Sequence, residues 1–217
     1  MREKYSTQIA RFDGKNCFVE VLNSAFNIGK VQLNFCQYDE KTKSMTKRLD
    51  IYIDVDRMLV LCNDILTGNF AKIVEHAKKT GKFEGRDIND YTCYFVDMGG
   101  ISEDRVQKKL AEYQKSYPWV QAGKGISRQF KIQVGQKLPW ILRAEYGLGA
   151  SSETGLISPV GKPADYINIP MTNESFKMLA MAIQTHYTAY LNQYYSKFSS
   201  ELFPNDKCKV YKPTTNS

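Results

Sequence analysis

Few residues in this chain have the type and spacing that catalysis or metal binding needs. The two histidines, His76 and His186, lie far apart. The five cysteines, Cys17, Cys36, Cys62, Cys93 and Cys208, are odd in number and contain no C-x-x-C pair, so neither a zinc cluster nor a disulfide framework is expected. Asp54 and Asp56 stand close enough to share a metal, but capping of a following helix accounts for both. No G-x-x-x-x-G-K-[ST], G-x-S-x-G or H-E-x-x-H motif occurs. GLGASSETG (147–155) is glycine-rich, yet it follows a strand pattern without opening a helix, so it reads as a hairpin turn and not a phosphate loop. His186 reads as a hydrogen-bonded boundary histidine and His76 as a surface residue on a basic helix. The expectation is a non-enzymatic protein with no catalytic group, metal or cofactor.

What remains is a set of polar, basic and aromatic residues on strand patterns: Lys30, Gln32, Asn34, Tyr52, Lys131, Gln133, Arg143, Tyr166 and Asn168. All are outward by alternation or flank a strand. Lys and Arg neutralise phosphates and release counterions, and aromatic rings stack on unpaired bases at about 1–3 kcal/mol per base. Singly, each also reads as an ordinary solvent-facing strand residue; their joint placement is what points to single-stranded nucleic acid. The charge balance agrees. With 30 basic and 23 acidic residues the chain carries a formal +7 and a pI near 9.0. Both halves are positive, with 20 basic against 17 acidic residues up to Gly125 and 10 against 6 beyond it. Groups such as Lys41 to Arg48, Lys78–Lys79, Lys108–Lys109 and Lys207 to Lys212 read as solvated surface.

The elements that must position these residues follow from periodicity. In KVQLNFCQY (30–38), Val31, Leu33 and Phe35 share one face and Lys30, Gln32, Asn34 and Cys36 the other. In RQFKIQV (128–134), Phe130, Ile132 and Val134 face inward and Gln129, Lys131 and Gln133 outward. PWILRAEYG (139–147) places Trp140, Leu142, Ala144 and Tyr146 on one face and Ile141, Arg143 and Glu145 on the other, without deciding which is buried. Tyr166 to Ile169 alternates up to Pro170; Thr172 or Asn173 then caps a long helix, with Phe176, Leu179, Ala180, Ile183, Tyr187, Tyr190, Leu191, Tyr194 and Phe198 on one face. Residues 50–66 repeat that grammar: Ile51, Ile53 and Val55 alternate, then Leu59, Cys62, Ile65 and Leu66 line a helix. Each half thus reads strand, strand, strand, helix, offset by roughly 110 residues, as an internal duplication would give.

The expected fold class is α+β: two pseudo-repeated antiparallel β-sheet units, each ending in an α-helix, with a helical insertion between them. The first unit covers 1–69, the insertion or connector 70–125, the second unit 126–198 and a C-terminal tail 199–217. Within the connector the spacing predicts a helix at 70–79, a strand at 92–98 and a helix from Ser102, as cap, to Tyr117. GLISPV reads as a short edge strand.

Repeats of antiparallel strands ending in one long helix, paired within one chain, resemble the Whirly and Pur-alpha type of single-stranded nucleic-acid-binding proteins and the related transcriptional coactivator. The likeness is architectural, covers roughly residues 5–70 and 126–198, and is carried best by GKPADYINIPMTNESFKML. It implies sequence-tolerant binding of single-stranded DNA, or RNA, across a sheet face without catalysis, in replication, recombination or mobile-element transfer. Two rivals stand beside it: a scaffold protein or homo-oligomer docking through the aromatic helix 173–198, and a double-stranded DNA accessory factor using the basic helices at 70–79 or 102–117. No run of about 18 apolar residues occurs, and MREKYSTQ lacks an apolar h-region, so neither a membrane span nor a secretory signal is expected, and the expected setting is cytoplasmic. Charge reversal at Lys131 and Arg143 together should weaken binding with little change in thermal stability.

Overall fold

A computed structural model describes residues 7–202, with side chains to residue 196. Phe198 and the whole expected tail, with Cys208 and the group Lys207 to Lys212, lie outside the described side chains. The protein is mixed α and β, with antiparallel sheets. Strands β1 (Gln8–Asp13), β2 (Cys17–Leu22), β3 (Lys30–Tyr38) and β4 (Met45–Asp54) form a four-stranded antiparallel meander in sequence order. Alternation explains the inward face: Val19 and Val21, then Val31, Leu33 and Phe35, then Leu49, Ile51 and Ile53 are buried side by side across the register. Helix α1 (Val55–Thr67) follows β4 directly. Asp54 occupies its N-cap without a side-chain cap bond, because its carboxylate pairs with Lys30 at 2.6 Å, and Asp56 lies in the first turn. A single left-handed residue, Gly68 (φ 77), turns α1 into α2 (Asn69–Thr80).

A small hairpin, β5 (Lys82–Phe83) with β6 (Arg86–Asp87), leads to β7 (Cys93–Ile101). The strand expected within the connector is thus present, but it pairs with β8 (Gly125–Val134) from Cys93 opposite Gln133 to Ile101 opposite Ile126. The boundary expected near residue 125 therefore falls inside a hydrogen-bonded sheet. Pairing between strands about thirty residues apart leaves no local trace in the sequence, so periodicity does not name the partner. The helix expected from Ser102 to Tyr117 is two pieces, α3 (Glu103–Lys108) and α4 (Leu110–Ser116), broken at Lys109 (φ −133, ψ 31). Ser102 makes no side-chain cap; Glu103 instead accepts from the backbone N–H and hydroxyl of Ser151.

The second sheet runs β7, β8, β9 (Trp140–Ser151), and the far edge of β9 is shared by β10 (Ile157–Pro159) near its end and β11 (Asp165–Met171) along Trp140–Tyr146. The segment GLISPV does form a short edge strand. At this end the sheet is stripped of side chains: a Cβ on Gly100 would lie 2.3 Å from the Ile126 carbonyl, and one on Gly149 would lie 2.6 Å from Ile157 Cγ2. These glycines let Ile157 and the following loop fold over the sheet. Thr172 caps α5 (Asn173–Leu202), accepting from Ser175 N–H at 3.0 Å, while Asn173 accepts from the Trp140 indole at 2.8 Å.

The apolar faces of both sheets and the inner faces of α1 and α5 enclose one core. Phe35 meets Phe130 across it with ring centroids 6.2 Å apart, and Phe70, Trp140 and Phe176 form an aromatic cluster beneath the helices. Phe176, Leu179, Ala180 and Ile183 of α5 are buried, and Tyr187 and Tyr190 pack on Phe26. Beyond them α5 extends to Leu202, past the expected end at 198, with Tyr194 and Tyr195 exposed. The edge of β4 is closed by the second half of the chain. The buried Tyr146 hydroxyl accepts from Asp50 N–H at 2.9 Å and donates to the Asp50 carbonyl, and the Tyr117 hydroxyl donates to the Arg48 carbonyl at 3.2 Å. An unpaired strand edge is thereby protected by side chains. Cys17, Cys36, Cys62 and Cys93 are free thiols; burial pushes Cys36 up to about 11 and Cys62 up to about 12, so both stay protonated at neutral pH. Among the described residues, no helix is long and apolar enough to cross a membrane.

Candidate nucleic-acid interface

The sheet faces turned away from the core carry all nine residues singled out above, but the two faces differ. On the first sheet, β3 is an interior strand: in the register its outward Gln32 stands between Leu22 and Tyr52, and Asn34 between Glu20 and Asp50. Gln32 is 7% exposed and Asn34 5%, so neither offers the open contact that alternation alone implied. Gln32 accepts from the Ser24 hydroxyl at 2.7 Å and donates to Asp50 at 3.3 Å; the Asn34 side-chain oxygen has no partner among the described residues. Tyr52, on edge strand β4, is the open one at 41%. Lys30 is tied to Asp54. The other strand cations of this face are matched too, Arg11 with Asp13 at 2.8 Å and Arg48 with Asp50 at 3.1 Å, while Lys43 in the β3–β4 hairpin lies 5.8 Å from the centre of the Tyr38 ring. A face whose strand cations each have a carboxylate at hand offers a polyanion little attraction.

The second sheet brings the remaining five residues onto one face, assembled by register. Lys131 on β8 stands opposite Arg143 on β9, which stands opposite Asn168 on β11; one step along, Gln129 stands opposite Glu145, and Glu145 opposite Tyr166. The side chains interlock accordingly. Glu145 accepts from Lys131 Nζ through one carboxylate oxygen and from Arg143 Nε through the other. Arg143 also donates to the Asn168 side-chain oxygen at 3.1 Å, and its guanidinium carbon lies 4.1 Å from the centre of the Tyr166 ring. Tyr166 remains 51% exposed, so its ring is available for stacking. Gln133 sits at the margin, donating to the Tyr91 carbonyl at 2.9 Å.

The loop after β10 walls one side of this face. Ser127, Gln129, Lys131 and Glu145 floor a small cleft, and Pro159, Val160, Gly161, Lys162 and Pro163 form its other side. Lys162 is exposed and has no ion pair among the described residues. Two cations on one carboxylate plus a free lysine leave this face positive, with a half-exposed aromatic ring beside it. Sequence reasoning missed Glu145 and Lys162. Alternation puts Glu145 on the same face as Arg143, but only the β8–β9 register shows that it also reaches Lys131; Lys162 lies in a loop without periodicity.

His76 and His186 are both exposed, and among the described residues no group of three or more His, Cys, Asp or Glu side chains is placed to hold a metal ion. The fold and face together describe an α and β protein with two antiparallel sheets around one core and a polar, cationic outer face on the second. Comparison with protein-family models, with curated proteins and with solved structures finds no match.

Proposed function

We propose that this protein binds single-stranded nucleic acid, DNA or RNA, across the outer face of its second sheet, with little sequence preference and without catalysis. The observation that carries the reading is the meeting of Lys131, Arg143, Asn168 and the half-exposed Tyr166 on one open face. Cations there neutralise phosphates, and Tyr166 supplies a stacking platform that any unpaired base fits and a paired base does not. Duplication of a four-strand-plus-helix unit accounts for the architecture: β1–β4 with α1, and β7, β8, β9 and β11 with α5, have the same strand order and each run directly into a helix. The second unit then begins at β7, and the insertion shrinks to α2 and the β5–β6 hairpin. The outer face of one copy has kept its cations neutralised while the other carries the binding residues. The free thiols fit a reducing, cytoplasmic setting.

A second reading, docking of a protein partner or second copy on α5, is favoured by the exposure of Met178, Met181, Tyr194 and Tyr195 along that helix. Fluorescence anisotropy with labelled single-stranded and duplex oligonucleotides of equal length, at two salt concentrations, separates the readings. Salt-sensitive binding that favours the single strand is expected. Duplex preference would redirect the proposal to the basic helix α2, and no binding at low salt would leave α5 as the working surface.

A further inference from the structure

Lys131 and Arg143 stand directly opposite one another in the β8–β9 register. Like charges in that relation destabilise a sheet, so the fold alone gains nothing from placing them there. Glu145 is what makes the pair tolerable, since its two oxygens reach both cations. Each of the other paired cations among the described residues has a carboxylate that it shares with no second cation; these two divide one. The layering is also particular. The Glu145 side chain is 9% exposed, whereas those of Lys131 and Arg143 are each 20% exposed, so the anion lies beneath and the cations above it. A second anion approaching from solvent meets the cations on the side the carboxylate does not occupy.

We propose that Glu145 is an internal counter-anion, that Lys131 and Arg143 form a subsite for one phosphodiester of the bound strand, and that binding is an exchange in which the phosphate takes these cations over from the carboxylate. The proposal rests on the single-strand reading above. Arg143 keeps its orientation through the exchange, because Asn168 and the Tyr166 ring hold its guanidinium independently of Glu145. Lys162, on the loop across the cleft, supplies a third cation that no carboxylate occupies. Glu145 therefore sets the affinity: part of the attraction of the face is already satisfied within the protein, and a strand gains only the difference.

Salt titrations of a single-stranded oligonucleotide against wild type, Glu145→Gln and a charge control, Glu75→Gln on the exposed face of α2, test this. Glu145→Gln is expected to bind about tenfold more tightly at low salt, with a steeper fall of log K against log salt, as one further counterion exchange requires. Glu75→Gln is expected to match wild type. An abasic strand of the same length should show the same gain, since the phosphate is what exchanges. Equal or weaker binding by Glu145→Gln, an equal gain in Glu75→Gln, or a gain confined to base-bearing strands overturns the exchange while leaving the single-strand reading in place. Failure of wild type and Glu145→Gln alike to bind at low salt overturns both. Should Glu145→Gln not fold, the pair Lys131→Gln with Glu145→Gln removes the like-charge opposition. It is expected to bind more tightly than Lys131→Gln alone, and binding equal to or weaker than that single variant overturns the exchange.

Discussion

A variant in which Lys131, Arg143 and Glu145 all become Gln is expected to fold as the wild type does and to bind single strands about tenfold more weakly near 0.1 M salt, since Lys131 and Arg143 together form the subsite for one phosphate. The magnitude follows from counterion release: each phosphate left without its cation takes roughly 0.9 off the salt slope, which is about tenfold in affinity at that salt. Replacing all three matters because Glu145 is nearly buried and is held by both cations. Reversing Lys131 and Arg143 to acids would instead put three carboxylates on one patch of sheet, and removing one side of a buried ion pair costs about 3–5 kcal/mol. The expectation that a double reversal would spare stability, drawn from alternation alone, is revised accordingly. The neutral triple leaves no buried charge stranded, so circular dichroism and anisotropy on the same sample separate folding from binding. Wild-type affinity in a folded triple variant would remove this face from consideration.

Tyr146→Phe is expected to lower stability by about 2 kcal/mol, or a melting temperature by about 4–8 °C in a chain of this size, without weakening single-strand binding below the transition. The Tyr146 hydroxyl satisfies both the N–H and the carbonyl of Asp50 on the edge of β4, and it does so from within the core. Phenylalanine keeps the ring packed against Tyr117 and the cation of Arg128 but leaves those two backbone groups without their partner. Thermal denaturation reads the effect. A melting temperature within about 1 °C of wild type would show that solvent replaces the hydroxyl freely and that the suture contributes nothing.

Periodicity makes much of this legible. The alternation in RQFKIQV places Phe130 and Ile132 in the core and Lys131 on the outer face, and the spacing from Phe176 to Tyr190 marks the buried stripe of α5. The same rule gives the correct face for Gln32 and Asn34 but the wrong exposure. Facing away from a core is a property of one strand, whereas burial also depends on what the register sets on either side, here Leu22 and Tyr52 beside Gln32 and Glu20 and Asp50 beside Asn34. Glu145 escapes sequence reasoning for a related cause: its contact with both Lys131 and Arg143 exists only where β8 and β9 meet in register. Residues 92–98 read as a strand, but their place in the second sheet depends on a pairing across two short helices and a loop, which sequence spacing does not encode.

Chemical-shift mapping of the isotope-labelled protein during titration with a short single-stranded oligonucleotide tests the central claim most directly. The largest shifts are predicted at Lys131, Arg143, Tyr166 and Asn168 and along the loop at 159–163, with Lys30 and Asn34 on the first sheet little changed. Shifts confined to the exposed part of α5 around Tyr194 and Tyr195, or centred on the first sheet, would contradict it.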